Sequence, residues 1–148
     1  MTPIDPPLPA GTKLVICKPN VGLSTPTVFK SLKYDLLSTK DPEELLKDFT
    51  TTSTDGIESV DPASFLNDLE PPAFANLPEL QALKEELQQV DGLGTVMMSG
   101  SGTSIFCIGH PSDREAFDET FGKREELQVF FCEFINRPSD DVWYERPE

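Results

Sequence analysis

The chain has 148 residues, of which 37% are hydrophobic and ten are Phe, enough to bury roughly 70% of the unfolded surface around one core. Its 26 acidic residues outweigh 12 basic ones for a net charge of −14, a field that repels nucleic acid and anionic membrane and makes both poor partners. The odd count of three cysteines, without CxxC spacing, argues against a disulfide framework or a zinc site and reads as free, buried thiols in a reducing compartment.

No run approaches the roughly 18 apolar residues of a membrane span. The start, Met1 to Pro9, is Pro-rich and lacks Arg, so it reads as neither a signal nor a transit peptide. Residues 1–12 are expected to be an extended segment, 13–136 the folded domain and 137–148 a tail. Leu14 to Cys17 is a short apolar run, consistent with a buried strand. Thr25 then offers a capping oxygen and Pro26 fits the first helical position, with Val28, Phe29, Leu32 and Leu36 following at helical spacing. Asp41-Pro42-Glu43-Glu44 repeats the cap-then-proline start of a short helix ending near Phe49, with Glu44 placed to close a capping box. Residues 50–60 show no sustained period and read as a surface loop.

Asp61-Pro62 predicts a third helix carrying Phe65, Leu66 and Leu69, stopped by Pro71-Pro72. Leu80, Leu83, Leu87 and Val90 mark one face of an amphipathic helix that Gly92 and Gly94 terminate. Two strands near 95–98 and 103–109 flank the small-residue turn Ser99-Gly100-Ser101-Gly102. Ser112 to Glu115 reads as a capping box for a helix bearing Ala116, Phe117 and Phe121, and Leu127 to Ile135 is the last strand. The order strand, helices, strand, strand, helix, strand predicts an α+β fold, a βαββαβ ferredoxin-like sandwich with extra helices in the first crossover.

The turn admits two readings, a plain Gly-rich hairpin or a loop whose N–H groups approach an anion because no Cβ stands in the way. Two further segments bear on the choice: Lys18-Pro19-Asn20-Val21-Gly22-Leu23-Ser24-Thr25-Pro26 and Asn67-Asp68-Leu69-Glu70-Pro71-Pro72-Ala73-Phe74. In this order, with the hairpin last, the three segments resemble the C-terminal half of the GHMP kinase family, plant and algal members above all. The resemblance runs from the first strand to Trp143-Tyr144, and it implies the same ferredoxin-like fold. It further implies an enzyme of non-mevalonate isoprenoid synthesis that moves the γ-phosphoryl of ATP, with Mg²⁺, to a hydroxyl of a cytidylated sugar alcohol. Ser99, Gly100, Ser101, Gly102 and Thr103 would then form a phosphate-proximal loop, and Thr25 and Phe29 would frame the cytidine end of the substrate. Without the resemblance, Thr25 merely caps and Phe29 merely packs.

No catalytic residue carries over, because the family's catalytic Lys and Asp belong to its N-terminal half. The helix-entering phosphate loop of these kinases is absent as well; Asp91-Gly92-Leu93-Gly94-Thr95 follows a helix and enters a strand, the reverse of what phosphate binding needs. ATP and Mg²⁺ are therefore expected mainly on an N-terminal half, which is the expected partner along with the small-molecule substrate. Any phosphate contact here would rest on N–H groups, Lys18 or Lys30. A structural cap or a bond to a neighbouring loop is expected for Asp68, and a solvent-exposed turn for His110, the only histidine. The compartment implied is a plastid for a plant or alga and the cytoplasm otherwise. Two alternatives stand: the C-terminal domain of a different GHMP kinase, and a non-catalytic ferredoxin-like module that binds a small molecule or dimerises through its sheet.

Overall fold

Four strands form one sheet in the order β2-β3-β1-β4, every neighbouring pair antiparallel, in the computed structural model, which describes residues 8–52 and 60–136. The strands are β1 (Lys13–Pro19), β2 (Leu93–Met98), β3 (Ile105–Gly109) and β4 (Leu127–Glu133). Between β1 and β2 lie α1 (Thr25–Lys30), α2 (Pro42–Thr52), α3 (Glu70–Asn76) and α4 (Pro78–Gln88); α5 (Arg114–Phe117) joins β3 to β4. Each crossover returns to a strand one place removed, which gives the expected ferredoxin-like βαββαβ sandwich with extra helices in the first crossover. The segments 1–7, 53–59 and 137–148, which hold most of the N-terminal stretch, the loop and the tail with Trp143-Tyr144, lie outside the described residues.

Register explains the core. Val15 faces Cys107 and Phe131, while Cys17 faces Ile105 and Val129, so alternate residues on all four strands turn to the helical layer. Val15, Cys17, Met98, Ile105 and Cys107 are fully buried there against Leu80, Leu83 and Leu87 of α4 and Phe117 of α5. All three cysteines are free. Burial disfavours the thiolate and pushes Cys17 up to about 11 and Cys107 up to about 12. The other sheet face is apolar too, with Met97, Phe106, Ile16 and Phe130 aligned across the four strands. Phe130 is 47% exposed on it.

Several local expectations give way. Helix α1 stops at Lys30, and Leu36 ends a separate 3-10 turn at Tyr34–Leu36. Ser24, not Thr25, occupies the N-cap of α1. Around Pro62 only a 3-10 turn forms, Pro62–Ser64, with the Ala63 N–H donating to the Asp61 carboxylate. Pro71-Pro72 begins helix α3 instead of ending one, because prolines in a first turn forfeit only N–H groups that lack an intrahelical partner. Asp113, not Ser112, caps α5, its carboxylate accepting from the Ala116 N–H. His110 is half-buried rather than exposed, its ring edge-on to Phe131 at 5.3 Å between centroids.

Candidate functional site

The site is built where the β2–β3 turn meets the start of α1. The Ser99 N–H donates to the Ser104 carbonyl at 2.8 Å and the Gly102 N–H to the Ser99 carbonyl at 3.0 Å, closing a tight turn. Gly100 (φ +56°) and Gly102 (φ +92°) both take left-handed backbone that side chains disfavour. They differ in surroundings. A Cβ on Gly100 would stand in open space, whereas one on Gly102 would lie 2.9 Å from Met98 Sδ. Among the described residues the N–H groups of Gly100 and Ser101 have no hydrogen-bond partner, so both can donate to an incoming anion.

Two hydroxyls hold this turn to the β1–α1 link. Thr25 Oγ1 and Ser101 Oγ share a hydrogen bond at 2.8 Å. Thr103, 7% exposed, donates from Oγ1 to the Val21 carbonyl at 2.8 Å. The side chain of Thr25 therefore reaches across to the turn and caps nothing. Phe29 lies one helical turn further on; neighbouring Val28 faces the core with no exposure, and Phe29 is 51% exposed. It is not a core residue. Both segments expected at the site thus meet at one end of the sheet, with an aromatic ring open to solvent beside them.

Beside the turn runs a groove of about 470 Å³ between Lys18–Leu23 and Gly102–Ser104. Lys18 lines it and forms no ion pair among the described residues, so a cation is available there despite the negative field of the molecule. Lys30, in the last turn of α1, is exposed. A hollow of similar size between α4 and α5, lined by Glu86, Asp91 and Asp113 among others, contains none of the expected site residues. No group of three or more His, Cys, Asp or Glu among the described residues is placed to hold a metal ion.

A second set of contacts had no expectation attached. Asn67 donates from Nδ2 to the carbonyls of Met98 and Gly100, each at 2.8 Å, while its Oδ1 accepts from the Leu69 N–H. Glu70 accepts the Met98 N–H at 2.8 Å on one oxygen and pairs with Lys84 at 2.6 Å on the other. Both residues grip the hairpin just before and within the turn. Asp68 does as expected, bonding a neighbouring loop through the Ser38 N–H at 3.0 Å. The sequence signal for Asn67 was present but masked. Reading Pro71-Pro72 as a helix start leaves Asn67 in a loop, where a carboxamide is free to reach a neighbouring backbone.

Comparison with known proteins agrees with the fold. The family described as "GHMP kinases C terminal" matches residues 45–124. The chain is 40% identical over 149 residues to the chloroplastic/chromoplastic 4-diphosphocytidyl-2-C-methyl-D-erythritol kinase of Solanum lycopersicum, covering 97% of this chain and 34% of that protein. It is 35% identical to the chloroplastic enzyme of the same name from Arabidopsis thaliana, covering 97% and 36%. The Protochlamydia amoebophila enzyme of that name is 38% identical over 91% of this chain and 38% of its own length. A crystal structure of 4-(cytidine 5'-diphospho)-2C-methyl-D-erythritol kinase superposes with a TM-score of 0.59 at 25% identity, covering 84% of this chain and 42% of that one. The chain thus spans about a third of the length of the curated relatives it matches.

Proposed function

The chain belongs to the GHMP kinase C-terminal family, and on that premise we propose that it is the substrate-closing domain of an ATP-dependent kinase whose acceptor is 4-diphosphocytidyl-2-C-methyl-D-erythritol. The observation that carries this reading is the 2.8 Å bond between Thr25 and Ser101, which joins the substrate-framing segment to the Gly-rich turn. In this reading Phe29 offers its exposed ring as a stacking surface for the cytosine, and Thr25 fixes the edge of that surface. The turn Ser99–Thr103 lies against the transferring phosphoryl group, where the free N–H groups of Gly100 and Ser101 stabilise its oxygens. Phosphoryl transfer depends almost wholly on positioning and electrostatics, so a rigid donor turn is a fitting contribution from a domain to which no catalytic residue of the family carries over.

ATP, the catalytic Lys and Asp, and Mg²⁺ belong to the other half of the enzyme in this reading. Among the described residues no three His, Cys, Asp or Glu side chains gather to hold a metal ion. The chloroplastic names of the plant relatives support a plastid as the compartment. The test is direct. Joined behind the front half of the tomato relative, the chain should phosphorylate the cytidylated alcohol, and Phe29→Ser should raise KM at least tenfold. The 148-residue chain purified alone should transfer nothing from ATP above a no-protein control. Failure of the joined protein to turn over substrate, with both halves folded, would overturn the reading.

A further inference from the structure

The strongest unassigned feature is the double grip on the Gly-rich hairpin by the segment just before α3. Both donor hydrogens of Asn67 are spent on the hairpin, one on the Met98 carbonyl at the end of β2 and one on the Gly100 carbonyl inside the turn. Its own oxygen is fixed by the Leu69 N–H at 3.0 Å, which sets the amide the right way round for that bridge. Glu70 holds the other side of Met98 through its N–H, and Lys84 of α4 anchors the second carboxylate oxygen. These two carboxylate and ammonium side chains are only 14% and 19% exposed, so the pair is poorly screened and geometrically firm. Asn67 and Glu70 thereby fix both backbone polar groups of Met98 and the carbonyl of Gly100. With the Gly100 carbonyl held by Asn67, the Ser101 N–H in the same peptide plane keeps one orientation. The Gly100 N–H is set by the Ser99 carbonyl, which the Gly102 N–H holds within the turn that Asn67 and Glu70 anchor, and fixed donors are what a preorganised site requires.

We propose that Asn67 and Glu70 are positioning residues for the Ser99–Gly102 turn: they touch no substrate themselves but set the direction and distance of its N–H donors toward an anionic phosphoryl group. The inference rests on the kinase reading above for what the turn faces. A displacement of about 1 Å at a reacting centre costs on the order of a hundredfold in rate, so loss of the grip falls on kcat.

Amide hydrogen exchange on the 148-residue chain tests the geometry without any activity. Asn67→Ala and Glu70→Ala should each speed exchange of the Ser99 and Gly102 N–H groups at least tenfold while leaving Val15 in the core protected. Glu70→Gln, which keeps an acceptor for Met98, should fall between Glu70→Ala and wild type and covers the case in which an alanine variant fails to fold. Asp68→Asn, whose partner is Ser38, should leave the turn unchanged. In the joined enzyme Asn67→Ala and Glu70→Ala should lower kcat at least tenfold with KM for the cytidylated alcohol within about twofold. Unchanged exchange at Ser99 and Gly102 in Asn67→Ala and Glu70→Ala overturns the proposal. So does faster exchange with unaltered kcat. An inactive wild-type joined enzyme counts against the kinase reading alone, because the exchange result still decides whether these residues hold the turn.

Discussion

Gly100 and Gly102 look alike in the sequence, and the structure separates them. A side chain at Gly102 costs stability, because φ there is +92° and an added Cβ would lie 2.9 Å from Sδ of the fully buried Met98. Left-handed backbone costs a side chain about 1–2 kcal/mol, and overpacking adds about 1–3 kcal/mol. Gly102→Val should therefore unfold at clearly lower urea than wild type, whereas Gly100→Ala should lose no more than about 1–2 kcal/mol and is the better probe of the turn's role. Equal midpoints for the two variants would contradict this account. The buried thiols give a pH dependence. Cys17 and Cys107 ionise near 11 and 12 in the folded chain against about 9 when unfolded. Their raised values mean that the unfolded chain releases these protons first as pH climbs, so their contribution is whole below pH 9 and is lost as pH rises through 11 to 12. Thermal melts from pH 8.5 to 11 should fall more steeply for wild type than for the Cys17→Ala, Cys107→Ala double variant.

At the scale of elements, α4 is the support beneath the site. Its Leu80 and Leu87 are fully buried, and a Cβ on Gly102 would come within 3.6 Å of Leu80 Cδ2, so the helix underlies the turn as well as the sheet. Leu80→Ala should destabilise the chain by about 2–5 kcal/mol in denaturant titration. Pro71, in the first turn of α3, replaces an N–H that would have no helical partner, so Pro71→Ala should move stability by less than about 1 kcal/mol. A large loss there would mean that the proline acts through packing. The amphipathic period of α4 was legible because three buried leucines recur on one face. The helices around Pro62 and Pro71 were not, because a proline near a helix boundary marks a start as readily as a stop. Only the partners of Asn67 and Asp68 decide between those readings.

For the whole molecule, the site end leaves Phe29 and Val21 half exposed, at 51% and 47%. Exposed apolar area of this kind invites association, and at physiological salt the net charge is screened beyond ~8 Å. The purified chain should form weak dimers that salt promotes and Phe29→Ser removes, as read by sedimentation across a salt series. Phe130→Ser, on the sheet face away from the helical layer, should leave them intact; the reverse pattern would favour a module that dimerises through its sheet. The sequence by itself determined the architecture, since strand and helix periods and their order admit few packings of four strands with right-handed crossovers. It also marked the Gly-rich turn, and through the family resemblance Thr25 and Phe29, as the residues to watch. Tertiary structure alone decided how they meet: Thr25 against Ser101, Asn67 across Met98 and Gly100, Glu70 between Met98 and Lys84. The reason is physical. Periodicity is a local property that each segment carries alone, whereas a hydrogen bond between residues 76 positions apart exists only once the sheet has fixed where both ends lie.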